Sequence, residues 1–148
     1  MFAARPATEA DVPTILTMMR EFNAIESIAF DRESFAPRVR ELVATPALGG
    51  ILILTVDGAL AGYAIVTFGW DLEFGGRDAF LTELFVVEER RRQGVGRQGL
   101  AAAQALARAG GAHALHLLVR HDNTPARALY DGEGFAAQPR LIMTKLLR

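Results

Sequence analysis

The chain has 148 residues, enough for one domain with a buried core and too few for two. Apolar residues make up 51% and charged residues 22%, with a formal net charge of -1, a globular composition that argues against disorder and wholesale nucleic-acid binding. The lack of Cys excludes disulfides, thiolate metal sites and thiol nucleophiles, and the lack of a signal-like region or an apolar run of ~18 residues predicts a soluble cytoplasmic protein without a membrane partner.

Residues 2–6 read as a short strand. Thr8, with Asp11 three positions on, is a helix-start signature, and Val12, Ile15, Leu16, Met19 and Phe22 follow at helical spacing. A second helix is predicted over residues 32–43, stopping near Pro46. Residues 51–56 and 60–68 read as strands joined at Asp57-Gly58, a hairpin turn signal, and a strand over residues 79–87 follows the Gly75-Gly76 turn. The Ala- and Leu-rich run 94–109 is helical and stops at Gly110-Gly111. Residues 114–119 read as a strand, 124–131 as a helix and 141–147 as a last strand. The expectation is a single α/β domain over residues 1–148, order β-α-α-β-β-β-α-β-α-β, with a mixed, mostly antiparallel sheet and helices on both faces.

The segment Glu88-Glu89-Arg90-Arg91-Arg92-Gln93-Gly94-Val95-Gly96-Arg97 lies between a strand and a helix. Backbone N–H groups at a helix start point outward unpaired, the helix dipole adds partial positive charge, and glycines let phosphate oxygens approach. A solvated Arg-rich turn is the plain alternative, disfavoured by the strand before, the helix after and the arginines around it. Gly94-x-Gly96-x-x-Gly99 also fits a dinucleotide fingerprint, with Asp122 at about the distance of a ribose-binding acid. Against that rival, charged residues 88–92 intervene between strand and glycines, and too little chain follows for a doubly wound sheet. A P-loop is excluded because no Gly-Lys-Ser/Thr occurs.

Arg91-x-x-Gly94-x-Gly96, downstream of Leu84-Phe85-Val86-Val87, resembles the pyrophosphate-binding motif of the GNAT superfamily of acyl-CoA-dependent N-acetyltransferases. Asn123-x-x-Ala126-x-x-x-Tyr130-x-x-x-Gly134-Phe135 is similar to that superfamily's later motif, and Arg5-Pro6-Ala7-Thr8-x-x-Asp11 and Met143-Thr144-Lys145 are similar to its ends. The resemblance implies acetyl transfer from acetyl-CoA, without a metal, to a primary amine of a small molecule or peptide by direct attack, with a homodimer common. It implies that the N–H groups of Gln93, Gly94, Val95, Gly96 and Arg97, flanked by Arg91 and Arg92, hold the pyrophosphate. The backbone of Phe85, Val86 and Val87 would pair with the pantetheine arm like an added strand. A backbone N–H at Phe85 or Val86 would face the developing oxyanion, and Tyr130 would be the acid for the departing thiolate. Asn123 and Tyr130, seven residues apart, would face one side of a helix, with small Ala126 between them leaving room for the cofactor. A degenerate member binding acyl-CoA as a sensor is the non-catalytic alternative.

A protonated amine cannot attack, so a base is needed. Glu83 interrupts Phe80-Leu81-Thr82-Glu83-Leu84-Phe85-Val86, whose apolar neighbours predict a buried strand that would raise a carboxylate's pKa. Glu83 is the candidate base or else a structural partner of Arg77 or another Arg, with His121 second. His116 and His113 read as an ordinary strand residue and a turn residue. The superfamily's diamine-acetylating branch carries paired acids here, and Thr82 replaces the first, which weakens a polyamine assignment. Phe68, Trp70, Asp71, Glu73 and Phe74 gather acids and aromatics suited to an ammonium, and equally read as surface acids and core aromatics.

Overall fold

The computed structural model describes residues 1–147, in two units: residues 1–118, and the chain from Val119 on. The first unit is built on a sheet of β1 (Phe2–Pro6), β2 (Gly49–Val56), β3 (Ala59–Asp71), β4 (Gly76–Val86) and β5 (Leu115–Leu117), paired in that order. All neighbours are antiparallel except β4 and β5, which run parallel. Helices α1 (Val12–Ile25) and α2 (Arg32–Ala44) cover one face, where Val12, Ile15, Leu16, Met19 and Val39 pack on Ile51, Ile53, Tyr63, Ile65 and Phe85. Helix α3 (Val95–Ala109) covers the other, with Gly99 set against Leu54 and Leu84 and Leu106 against Gly50.

Local chemistry explains the boundaries. Asp57 (φ 51°) and Gly58 (φ 78°) both take the left-handed conformation that a two-residue β2–β3 turn demands. Before α1, the Thr8 N–H donates to Asp11 Oδ2 at 2.8 Å while Arg5 forks onto both Asp11 oxygens at 2.8 Å. The Arg5 bonds first, then that N–H, hold the Asp11 carboxyl well below the usual range. Asp31, unremarked in the sequence reading, caps α2 by accepting the Ser34 N–H at 3.1 Å.

The β3–β4 ladder contains one irregularity that decides which way β4 side chains point. Glu83 lies opposite Ile65 but Leu81 opposite Val66, so Thr82 is an extra residue on β4, a β-bulge. Its hydroxyl donates to the Ile65 carbonyl at 3.3 Å. Alternation is thereby reset: Leu81 shares the α3 face with Val66, while Glu83 turns to the α1–α2 face with Tyr63 and Ile65.

In the second unit, Asn123 caps α4 (Thr124–Gly132), its Oδ1 accepting the Ala126 N–H at 3.2 Å, and the Tyr130 and Phe135 rings meet edge to face at 5.8 Å. Two expectations are corrected. The strand predicted over 114–119 shortens to Leu115–Leu117, and residues 141–147 form no strand: among the described residues no ladder partner satisfies their backbone, and Leu141, Ile142, Met143, Leu146 and Leu147 are exposed. Leu141, Ile142 and Met143 are apolar without alternation, a pattern that does not by itself distinguish a strand.

Close packing of β3 on β4 gives a direct test. A Cβ at Gly62 would collide with the Phe85 carbonyl oxygen, which is backbone and cannot swing aside. Gly62→Ala is expected to lose about 2 kcal/mol or more, read by urea denaturation. An unchanged midpoint would show that the β3–β4 spacing is looser than described.

Candidate active site

The active-site candidates of the first unit lie along β4 and the turn that follows it. Val87 donates its N–H to the Ala61 carbonyl at 2.8 Å, so Val87 and, by alternation, Phe85 direct their backbone groups toward β3. Val86, between them and opposite Gly62, directs its N–H and C=O outward. On that side β5 pairs only with residues Ala79, Phe80 and Leu81, so beyond the bulge the outer edge of β4 has no strand beside it among the described residues. Of the two candidate oxyanion donors, the alternation therefore selects Val86 over Phe85.

Arg91 closes the turn. Its Nε donates to the Val86 carbonyl at 2.9 Å and its guanidinium lies 5.6 Å from the Phe85 ring centroid, pinning the loop to the end of β4. Arg92 (φ 63°) and Gly94 (φ 80°) are both left-handed, which bends the chain sharply into α3. Gly94 caps α3 without a side-chain hydrogen bond, and the first helical bond runs from the Gln98 N–H to the Gly94 carbonyl at 3.1 Å. The N–H groups of Val95 and Gly96 precede that bond, at the helix start where no intrahelical acceptor is available. A Cβ at Gly94 would meet nothing within 4 Å, so the mouth of this amide cluster is open. Such a cluster at the positive end of a 15-residue helix fits a pyrophosphate. Gln93 contributes otherwise: its side chain donates back to the Glu89 carbonyl at 3.0 Å and stiffens the turn.

Glu83 is partly buried and accepts a 2.6 Å hydrogen bond from the Tyr63 hydroxyl. Burial raises the Glu83 carboxyl above its ordinary pKa, and the Tyr63 bond offsets part of that rise. The Tyr63 phenol is pushed far up, first by burial and then by the Glu83 charge. The expected Arg partner is absent because the bulge parts the two residues: Arg77 lies on the α3 face with its guanidinium 4.2 Å from the Phe68 ring centroid, and its side chain donates to the Ala47 carbonyl. Tyr63 was missed in the sequence, although a Tyr inside an apolar strand needs a partner for its hydroxyl.

Other assignments change. His121 is exposed and lies beyond β5, in a turn of the second unit. His116 is more than a strand residue, since its Nε2 lies 3.1 Å from Oδ2 of buried Asp78. Asn123 does not sit two helical turns below Tyr130 on one face; as the cap its backbone is non-helical and its side chain serves Ala126. The aromatic and acidic group is dispersed as well: Phe68 packs under Arg77, Trp70 is 74% exposed, Asp71 accepts the Glu73 N–H, and Phe74 alone reaches His116.

A family model described as Acetyltransferase (GNAT) family matches residues 15–135. The chain belongs to the GNAT family of acetyltransferases. None of the curated proteins compared with it matches. Among solved structures, a protein of Arthrobacter sp. FB24 is 28% identical, with 98% of this chain and 96% of that one covered at a TM-score of 0.82. An integron cassette protein from the mobile metagenome of Cole Harbour Salt Marsh is 25% identical, covering 98% and 90% at 0.85. The aminoglycoside N-acetyltransferase AAC(6')-Iy, solved with CoA, shares the fold at 17% identity, covering 99% and 95% at 0.85. No helix among the described residues of this GNAT domain is long and apolar enough to cross a membrane, and no group of three or more potential metal ligands occurs among them.

The Tyr63–Glu83 bond makes a signed prediction. A hydroxyl donating to the carboxylate favours its charged form, so Tyr63→Phe is expected to raise the Glu83 pKa further. Carboxyl ¹³C titration of the two proteins checks this. A Glu83 titration that stays in place or falls would show that the hydrogen bond does not stabilise the carboxylate.

Proposed function

We propose that this GNAT chain transfers the acetyl group of acetyl-CoA to a primary amine of a small molecule or peptide, by direct attack in a ternary complex, and that residues 1–148 act as one catalytic domain. The observation that carries the reading is the conjunction of the open β4 edge at Val86 with the unpaired amides at the start of α3. The first suits an extended amide-bearing arm and the second a pyrophosphate, two features of acyl-CoA. The CoA complex of AAC(6')-Iy lends support at the level of fold.

In this reading Val95, Gly96 and Arg97 hold the pyrophosphate through N–H groups, aided by Gln93, Gly94, Arg91 and Arg92 around the turn. The outward backbone of Val86 aligns the pantetheine arm, flanked by Phe85 and Val87, and its N–H stabilises negative charge on the acyl oxygen. Acetyl-CoA when bound supplies a thioester whose thiolate can leave. Glu83 takes the proton of the attacking amine, and its raised pKa suits a base working near neutrality. Tyr130 gives its proton to the departing sulfur, with Ala126 leaving space beside it; a phenol of pKa about 10 is not far above a thiol of about 8.5.

Acetyl-CoA is expected to raise the melting temperature by binding the folded state selectively, and free thiol is expected to appear once a primary amine is added. Gly96→Glu should abolish both, by placing a negative side chain at the cradle. Glu83→Gln should keep the acetyl-CoA shift and lose at least about tenfold in kcat/KM below about pH 8, and Tyr130→Phe should slow turnover roughly 10²-fold. In the wild type kcat/KM rises with pH as Glu83 deprotonates, before the acceptor amine's own titration. A thermal shift without thiol release across an amine screen would favour an acyl-CoA sensor, and stabilisation by NAD but not acetyl-CoA would restore the dinucleotide rival. A fully active, destabilised Glu83→Gln would move the base to His121 or a relayed water.

A further inference from the structure

We infer that Asp78 and His116 form an acceptor-side subsite for a second ammonium group, remote from the amine that reacts; the inference rests on the amine-acetylation reading above. Both residues lie on the α1–α2 side of the sheet, the side to which the bulge turns Glu83. On β4, Glu83 stands opposite Ile65, Phe80 opposite Thr67 and Asp78 opposite Gly69, and His116 on β5 stands beside Phe80. Each of those steps is two β3 residues, about 7 Å. The apolar cluster under α1 and α2 includes Ile65 and Phe85 but not Thr67, Gly69, Phe80 or His116, and these four are half-buried or exposed. A shelf therefore leads from Glu83 along Phe80 to the Asp78–His116 pair.

The pair itself is costly to keep as mere packing. Asp78 is only 5% exposed and its carboxylate has one side-chain partner, His116. Room for it depends on Gly69, where a Cβ would lie 2.7 Å from Asp78 Oδ1. When the imidazole is neutral, Asp78 fixes its proton on Nε2, leaving Nδ1 as a lone-pair acceptor and the pair with one negative charge. Among the described residues nothing hydrogen-bonds Nδ1, and the ring is 23% exposed. Phe74 meets the imidazole edge-on at 4.8 Å and Phe80 at 5.0 Å, supplying two aromatic rings. An acceptor nitrogen backed by a carboxylate and walled by aromatics is suited to an ammonium, through a hydrogen bond, charge and cation–π contact together. A hydrocarbon tail would gain nothing from the buried carboxylate.

The test is an NMR titration of the histidine ring signals of the whole chain at constant pH, with 1,4-diaminobutane against 1-aminobutane as the matched control. His116→Gln assigns the signals. The diamine, held at both ends, is expected to shift the His116 resonances at concentrations at least about tenfold below those the monoamine needs, and Phe74→Ala, at a half-buried position, to weaken the diamine response by about tenfold. Asp78→Asn should abolish it, and Phe74→Ala keeps the question answerable where Asp78→Asn fails to fold. Equal responses to both amines, an unresponsive His116, or a diamine response untouched by Phe74→Ala would overturn the proposal. Thiol release is scored separately: acetylated amines with a silent His116 defeat this subsite alone, and a responsive His116 without thiol release defeats the acetyl-transfer reading alone.

Discussion

One extra residue in one strand organises the site. Thr82 sits in β4 without a counterpart in β3, and the reset in alternation turns Glu83 away from Arg77 and onto the face that carries Tyr63. A regular β4 would place residues 77, 79, 81 and 83 on one side, against α3. The same region is where β5 leaves β4, the ladder between them ending at Leu81 and Leu117. Past the bulge, β4 therefore presents a redirected carboxylate on one face and an unpaired outer edge.

Backbone polar groups do not stay unpaired without reason, and the structure shows how this edge is managed. The Val86 carbonyl is taken up by Arg91, whose side chain thereby sets the loop that opens α3. The adjacent helix start offers the Val95 and Gly96 N–H groups and a partial positive charge with no capping side chain in competition. Strand edge and helix terminus are therefore one feature joined by a single arginine. The negative groups stand elsewhere: Glu83 and the Asp78–His116 pair occupy the α1–α2 side of the sheet. In the reaction proposed above, positive charge for an anionic donor and negative charge for a cationic acceptor would thus be kept apart on two surfaces of the same strand, which limits their mutual neutralisation.

Much of this was legible in the amino-acid order. The Asp57-Gly58 turn, the α3 helix with its Gly94 start, and the strand–turn–helix context of the Arg- and Gly-rich segment follow from local rules that the structure obeys. Glu83 was legible as a polar residue in an apolar strand, but its partner was not. Alternation suggests Arg77, and a bulge, which depends on long-range pairing with Ile65 and Val66, reverses that inference. Asp78 and His116 were invisible for a similar reason: they lie 38 positions apart and meet only because β4 and β5 are parallel neighbours. Asn123 shows the opposite error, a helical periodicity extended one residue too far, onto the cap that precedes the first helical turn. Residues 141–147 carry apolar side chains without a ladder, and composition alone could not show that.

The central claim is that the outward edge of β4 and the first amides of α3 form one surface that acyl-CoA completes. Residue-resolved amide hydrogen exchange, with and without acetyl-CoA, tests it most directly because it reads the N–H groups themselves. The account predicts new protection at Val86, Val95, Gly96 and Arg97 on addition of acetyl-CoA, while Val87, already bonded to Ala61, changes little. Acetyl-CoA binding that leaves Val86 and the α3 amides exchanging as before would contradict it.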